Sequence, residues 1–239
     1  MKQKDALFLP PYLAVIAIVS LSMAAMAQQG NAELGNRLAA VKQSIAQNQQ
    51  RLHQYQWTET TEVTLKGEPK PPKQALCQYG PDGQIQKTPI MQEGAQQQRT
   101  GALKSRAIKK KTEEIQDYMD QVKTLLTLYV PPDPQKLQQA YQTGNASLSK
   151  GASQGVVILA FHNYDKPGDE LTITFNAQRK KLAQLNVKTY MQDPSESVTL
   201  DAQFASLPDG TNYPQKTVLN MAAKQMVVTT TNSQYQKLQ

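Results

Sequence analysis

The sequence predicts an α+β fold: a curved antiparallel sheet of about nine strands, an open half-barrel, with helices over its concave face. Runs of alternating apolar and polar residues fill most of the chain after Gly155, and short turns separate them, which favours antiparallel neighbours. Three other segments place apolar residues at intervals of three and four. This spacing predicts one N-terminal helix and a mid-chain helical pair.

The first 27 residues have the organisation of an export signal. Lys2 and Lys4 precede the apolar run 13–21, and an A-x-A motif ends at Ala27. An uncleaved membrane anchor is the alternative, but the apolar run is shorter than the roughly 20 residues that span a bilayer. We expect cleavage near Ala27, a periplasmic or secreted protein, and a single α+β domain over residues 28–239.

The first predicted helix begins at Asn31, which can cap it, and carries one apolar stripe. The stripe consists of Leu34, Leu38, Val41, Ile45, Leu52 and Tyr55. From Tyr55 the period changes to two, which predicts a half-buried strand. Its apolar face is formed by Tyr55, Trp57, Thr61, Val63 and Leu65.

Glu59 falls on the same strand face as Trp57 and Val63, where a carboxylate needs a partner or water. One interpretation is that this end of the strand is exposed or that Glu59 pairs with a cation. The functional alternative is a polar group that faces a cavity.

A hairpin follows, with strands at residues 73–79 and 84–88 joined by the turn Gly80-Pro-Asp-Gly83. Residues 89–101 lack periodicity, which predicts a mobile loop.

A long helix is expected next, because apolar residues keep the three-four spacing from Ile108 to Tyr129. Pro131-Pro132 ends it. Asp133-Pro134 then predicts a capped short helix that ends at Gly144.

Six strands are predicted in the remainder of the chain, and turn residues lie between them. The strands are residues 156–163, 171–176, 181–190, 198–204, 217–221 and 226–231.

The composition argues against an enzyme. One cysteine and two histidines cannot supply a tetrahedral zinc site, and we expect neither a metal nor a cofactor. His162 lies near Asp165 and Asp169 in the sequence, but no nucleophile turn accompanies them. Cys77 is expected to be a buried thiol, with an intermolecular disulfide as the rarer alternative.

A run of cations without any acidic residue lies between Gly94 and Thr112. It includes Lys104, Arg106, Lys109, Lys110 and Lys111. Cations at a helix N-terminus oppose the macrodipole, so either the helix begins later, near Thr112, or the cluster serves an anionic partner. A solvated helix face is the simpler alternative. In an exported protein an anionic membrane surface fits such a cluster better than nucleic acid does.

The order of elements, with a helix, strands, two helices and a long antiparallel run, resembles the superfamily of outer-membrane lipoprotein carriers, the LolA-like and LolB-like proteins. This resemblance implies an unclosed barrel that holds acyl chains. Locally, residues 55–63 and 206–220 resemble segments of a family of uncharacterised bacterial secreted proteins.

We therefore expect a monomeric binding protein that carries or senses lipid, an acyl chain or a lipoprotein in a concave apolar cavity. The candidate cavity residues are Trp57, Glu59, Val63, Leu65, Phe161 and Phe175. The alternative is a structural or protein-interaction module of the cell envelope without a ligand, since any sheet could use these apolar residues for its core.

Overall fold

A computed structural model describes residues 47–90 and 102–238 of the chain. The chain divides into two compact units, Met1–Gln43 and Ser44–Gln239, and the described residues belong to the second. The predicted signal peptide, the predicted start of the first helix at Asn31 and most of the predicted loop lie outside the described residues.

The described residues form eleven strands in one antiparallel sheet that does not close into a barrel. The strands are β1 (Tyr55–Leu65), β2 (Glu68–Pro69), β3 (Lys73–Tyr79), β4 (Ile85–Ile90), β5 (Ala146–Lys150), β6 (Val156–His162), β7 (Glu170–Asn176), β8 (Lys181–Tyr190), β9 (Ser197–Ser206), β10 (Asn212–Met221) and β11 (Met226–Lys237). Their order is β4-β3-β1-β11-β10-β9-β8-β7-β6-β5, and β2 pairs with β1. The predicted α+β class is confirmed.

The C-terminal strand pairs with the first long strand, so both ends of the described chain meet in the middle of the sheet. β11 runs antiparallel to β1 from the pair Leu65 and Met226 to the pair Tyr55 and Lys237. Alternation along each strand gives the sheet two different faces. One face carries most of the large apolar side chains, and the other carries mainly threonine, glutamine, asparagine and charged side chains.

Two helices follow β4. Helix α1 spans Ala102–Leu126 and helix α2 spans Pro134–Gln142, while residues 47–52 are also helical. A short 3-10 helix, Ala222–Lys224, joins β10 to β11. Among the described residues, no helix combines the length and the hydropathy needed to cross a membrane.

The start of α1 tests one of the expectations for the basic run, namely a helix that begins near Thr112. The helix begins at Ala102, without an acidic residue in its first turn, so a start near Thr112 is wrong. A cation in the first turn, here Lys104, costs about 0.3 to 1 kcal/mol against the macrodipole. Lysine, arginine, leucine and alanine are all good helix formers, and a segment rich in them offsets this cost.

Helix α2 confirms its predicted signals. The Asp133 carboxylate accepts a hydrogen bond from the Gln135 N–H at 2.8 Å, and Pro134 occupies the first turn. Leu137 and Ala140 are buried, and the helix leads into Gly144, whose φ of +75° is in the left-handed region.

The predicted loop at 89–101 is wrong at its first two residues. Pro89 and Ile90 belong to β4 and pair with Ala75 and Gln74. Because β4 is an edge strand, a proline without an N–H can lie in it without breaking an inner ladder.

Candidate functional site

The C-terminal half of α1 packs an apolar stripe against the sheet. The stripe consists of Ile115, Tyr118, Met119, Val122, Leu125 and Leu126. Val122 is fully buried, whereas the other side chains of the stripe are partly buried. The spacing of three and four places all of them on one side of the helix.

The sheet contributes two rows of apolar side chains that cross β1, β11, β10 and β9. The first row is Leu65, Met226, Met221 and Val198, and the second row is Val63, Val228, Leu219 and Leu200. In the first row, Met226, Met221 and Val198 are buried and pack with Val122 of α1. The second row stays partly exposed along its whole length.

We call the region between residues 115–126 of α1 and these two rows the helix–sheet cleft. Four of its side chains form a buried cluster, and ten further hydrophobic side chains packed against that cluster are only partly buried. Burial of apolar surface stabilises a fold by about 25 cal/mol per Å², so a completed core would cover these side chains. The cleft therefore combines a buried centre with partly exposed apolar side chains around it.

Polar groups lie at the end of the cleft near the connection between β10 and β11. The Lys224 ammonium lies 5.1 Å from the centre of the Tyr118 ring. The Tyr118 hydroxyl is buried and has no hydrogen-bond partner in the described part of the chain. Burial, and secondarily the charge of Glu196, raises the pKa of Tyr118, so this hydroxyl stays protonated and can donate.

Trp57 lies in a different neighbourhood, a cluster of aromatic rings at the β3–β1–β11 end of the sheet. It stacks on Tyr235 with ring centres 5.5 Å apart, and its centre is 5.6 Å from that of Tyr79. Its indole N–H donates to the Asn232 side-chain oxygen at 3.1 Å. With only 4% of its surface exposed, Trp57 is a buried member of this cluster.

Glu59 lies on the same strand face and forms an ion pair. Its carboxylate is 2.5 Å from the Lys87 ammonium of β4, and 12% of its side chain is exposed. The sequence left open whether Glu59 is exposed, pairs with a cation or faces a cavity, and in the structure it pairs with a cation. Cys77 is fully buried beside this pair, as expected, and burial raises the pKa of its thiol.

The remaining candidate cavity residues fall in two places. Val63 and Leu65 line the helix–sheet cleft. Phe161 and Phe175 lie on β6 and β7, where Phe161 is fully buried and Phe175 is 7% exposed. The six candidates therefore occupy three neighbourhoods of one sheet, and the two phenylalanines belong to its closed core.

The basic residues lie in the N-terminal half of the helix whose C-terminal half forms the cleft. Lys104, Arg106 and Lys109 belong to α1, and Lys110 and Lys111 are exposed on it. The same helix thus combines a cationic segment with a wall of the apolar site.

A buried polar network, which the sequence did not reveal, fixes the junction of α1 and α2. The Tyr129 hydroxyl donates to the Asp169 carboxylate at 2.5 Å and lies 2.8 Å from the Thr189 hydroxyl. The Asp169 carboxylate is therefore hydrogen-bonded to Tyr129. The Nδ1 atom of His162 lies 3.2 Å from the carboxylate of Glu170 instead. The pair of His162 with Asp165 or Asp169, considered as a catalytic arrangement, is not formed.

A small polar pocket of about 280 Å³ lies where α2 meets the β6–β7 loop. Its lining includes Lys136, Thr143, Asn145 and Asp165. The Lys136 ammonium and the Asp165 carboxylate pair with each other, so the charges in this pocket are already neutralised. Within residues 47–90 and 102–238, no group of three or more histidine, cysteine or acidic side chains could hold a metal ion.

Two solved structures are similar to this chain. A LolA superfamily protein from Nitrosomonas europaea is 11% identical, and the match covers 82% of this chain and 93% of that one with a TM-score of 0.36. A DUF1329 family protein from Desulfovibrio piger is 8% identical, with 83% and 92% covered and a TM-score of 0.38. No protein-family model and no curated protein matches the sequence. The likeness concerns the fold alone.

Proposed function

We propose that this chain is an exported binding protein that holds an acyl chain, of a lipid or a lipoprotein, in the helix–sheet cleft. The observation that carries this proposal is the partial exposure of facing apolar side chains on both walls of the cleft. A ligand that covers Met119 on one wall and Leu219 on the other would complete the burial that the protein leaves unfinished.

The methionine content of the cleft supports an acyl ligand. Met119, Met191, Met221 and Met226 all belong to the cleft or its rim. Methionine side chains are unbranched and flexible, so they adapt to apolar ligands of different shape. A flexible lining of this kind suits acyl chains, which vary in length and bend freely.

Two cleft variants test the site with a neutral probe, the fluorescent methyl ester of parinaric acid. Leu219→Gln places an amide in the cleft, and we expect the affinity to fall about five- to thirty-fold, because desolvating an unpaired amide costs about 1 to 2 kcal/mol. Met119→Gln should weaken binding in the same direction from the opposite wall. Leu76→Gln is the matched control, since Leu76 is 39% exposed and its neighbour Thr58 places it on the polar face.

Saturable binding by the wild type and by Leu76→Gln, with loss in both cleft variants, is the expected result. An absence of saturable binding to the wild type would overturn the proposal and leave the structural or interaction role standing. Equal binding by all variants would place the ligand elsewhere. Circular dichroism of each variant shows whether it folds.

The cations of α1 add a second part to the proposed function, namely contact with an anionic membrane surface. Lys109, Lys110 and Lys111 lie on the helix that forms one wall of the cleft, so membrane contact would bring the cleft close to lipid. Each surface cation contributes on the order of 1 kcal/mol at an anionic bilayer.

Cosedimentation with vesicles tests this second part. Changing Lys109, Lys110 and Lys111 to glutamine should abolish binding to anionic vesicles, and salt should weaken the wild-type binding. A charge-matched control changes three exposed lysines elsewhere, Lys150, Lys216 and Lys237. Equal binding to neutral vesicles, or equal loss in the control, would contradict a specific role of the α1 cations.

A further inference from the structure

The end of the helix–sheet cleft holds two polar groups with unused binding capacity. The Tyr118 hydroxyl is buried without a hydrogen-bond partner among the described residues. The exposed Lys224 ammonium, 5.1 Å from the Tyr118 ring, has no ion pair to any described side chain. One group belongs to α1 and the other to the 3-10 helix, so they meet from two different elements.

An unpaired buried hydroxyl is unusual, because most buried polar atoms have a hydrogen-bond partner. A buried polar group without such a hydrogen bond costs about 1 to 3 kcal/mol. An acceptor atom supplied by a ligand would remove this cost. The carboxylate of Glu196 is the negative charge that acts on Tyr118. It already accepts a hydrogen bond from the Gln192 N–H at 3.2 Å within the β8–β9 turn.

The polar and apolar groups follow one another in the order of a fatty acid. Lys224 is exposed, the Tyr118 hydroxyl lies further inside, and the 3-10 helix directly joins Met221 to Met226 in the first apolar row. A ligand whose charged end lies at Lys224 would therefore place its chain beside α1, along the second row, whose side chains are partly exposed. One cation and one neutral donor match a single negative charge better than a doubly charged phosphate.

We propose that the ligand of the cleft is an acyl chain that ends in a carboxylate, which accepts a hydrogen bond from the Tyr118 hydroxyl and pairs with the Lys224 ammonium. This inference rests on the proposed function, since it names the head group of the ligand of that same site. Lys224 acts at the surface and Tyr118 acts inside, so each should contribute separately to the preference for the acid.

Two probes with the same chain separate the head group from the chain: parinaric acid and its methyl ester. The wild type should bind the acid about ten-fold more tightly than the ester, a difference of about 1.4 kcal/mol. Tyr118→Phe and Lys224→Gln should each reduce affinity for the acid about three- to ten-fold and leave affinity for the ester within about two-fold. Lys216→Gln, at an exposed lysine of β10, is the matched control and should change neither affinity.

The outcomes distinguish this inference from the proposed function. Equal affinities of the wild type for acid and ester, unchanged in both variants, would overturn the carboxylate assignment while the cleft itself stands. A wild type that binds neither probe saturably would overturn both. Because Lys224 is exposed, we expect Lys224→Gln to fold, so this variant tests the carboxylate assignment even where Tyr118→Phe fails to fold.

Discussion

Trp57 is the residue whose replacement best reports on the aromatic end of the sheet. Because its ring is packed against Tyr235 and Tyr79, we expect Trp57→Ala to lower the free energy of unfolding by about 3 to 5 kcal/mol. Trp57→Phe should cost less, since it keeps an aromatic ring but leaves the Asn232 oxygen without its donor. Urea unfolding of both variants measures these changes in the free energy of unfolding. Binding of the neutral probe should be unchanged in Trp57→Phe. A loss below about 1 kcal/mol in Trp57→Ala would mean that the ring lines an open space.

Asp209 gives the fold a dependence on pH. The Thr211 N–H donates to its carboxylate at 2.8 Å and the Tyr55 hydroxyl donates at 2.7 Å, and these bonds hold the pKa of Asp209 below its usual value. A folded-state pKa below the unfolded one stabilises the protein above the unfolded pKa, and this stability is lost as the pH falls through the folded pKa.

Asp209→Asn tests this assignment by urea unfolding between about pH 6 and pH 2.5. The wild type should have the larger free energy of unfolding near pH 6. The difference in this free energy between the two proteins should shrink once the pH falls below about 4. A difference that stays constant over the whole range would contradict a contribution from the Asp209 charge. Both proteins keep Tyr55 and Thr211, so the comparison isolates the carboxylate.

Residue positions on a face were predictable from the sequence, but their partners were not. Alternation correctly placed Glu59 on the face of Trp57. Its partner Lys87 is 28 residues away in sequence, and only the pairing of β3 with both β1 and β4 brings them together. The Tyr129–Asp169 bond spans 40 residues and carries no local signal.

Among the elements, α2 has the most clearly defined cap. Removing the Asp133 carboxylate by Asp133→Ala should cost about 0.5 to 2 kcal/mol of unfolding free energy, because the Gln135 N–H loses its partner. Gln138→Ala, at an exposed position in the same helix, should stay within about 0.5 kcal/mol of the wild type. Urea unfolding monitored by circular dichroism measures both. Equal effects of the two changes would contradict the capping role.

Elements with regular alternation were predicted well, and polar elements were not. Strand β8 matches its predicted range, Lys181–Tyr190. Strand β5 was missed because it has one large apolar residue, Leu148, in five. Strand β11 continues to Lys237, whereas its predicted end was residue 231. The prediction stopped early because the last residues of the strand are mostly polar and show no apolar period.

At the scale of the whole molecule, the antiparallel sheet followed from the short connections between successive strands. The pairing of β11 with β1 did not, because it joins strands at opposite ends of the described chain. Of the cleft, the sequence indicated Val63 and Leu65 on β1. The apolar spacing from Ile108 to Tyr129 also placed the facing residues of α1 on one side of a helix. It did not indicate that they would meet Leu219 and Val228, because strand pairing and helix packing bring these residues together only in the fold.

The most direct test of the central claim, that the helix–sheet cleft holds an acyl chain, is photolabelling of the wild-type protein with a fatty acid that carries a diazirine on its chain. Peptide mapping should locate saturable label in residues 115–126 and on β1, β10 and β11, which the cleft joins. An excess of unlabelled fatty acid should compete for it. Label that does not saturate, or that lies on β6 and β7 or on the polar face of the sheet, would contradict the claim.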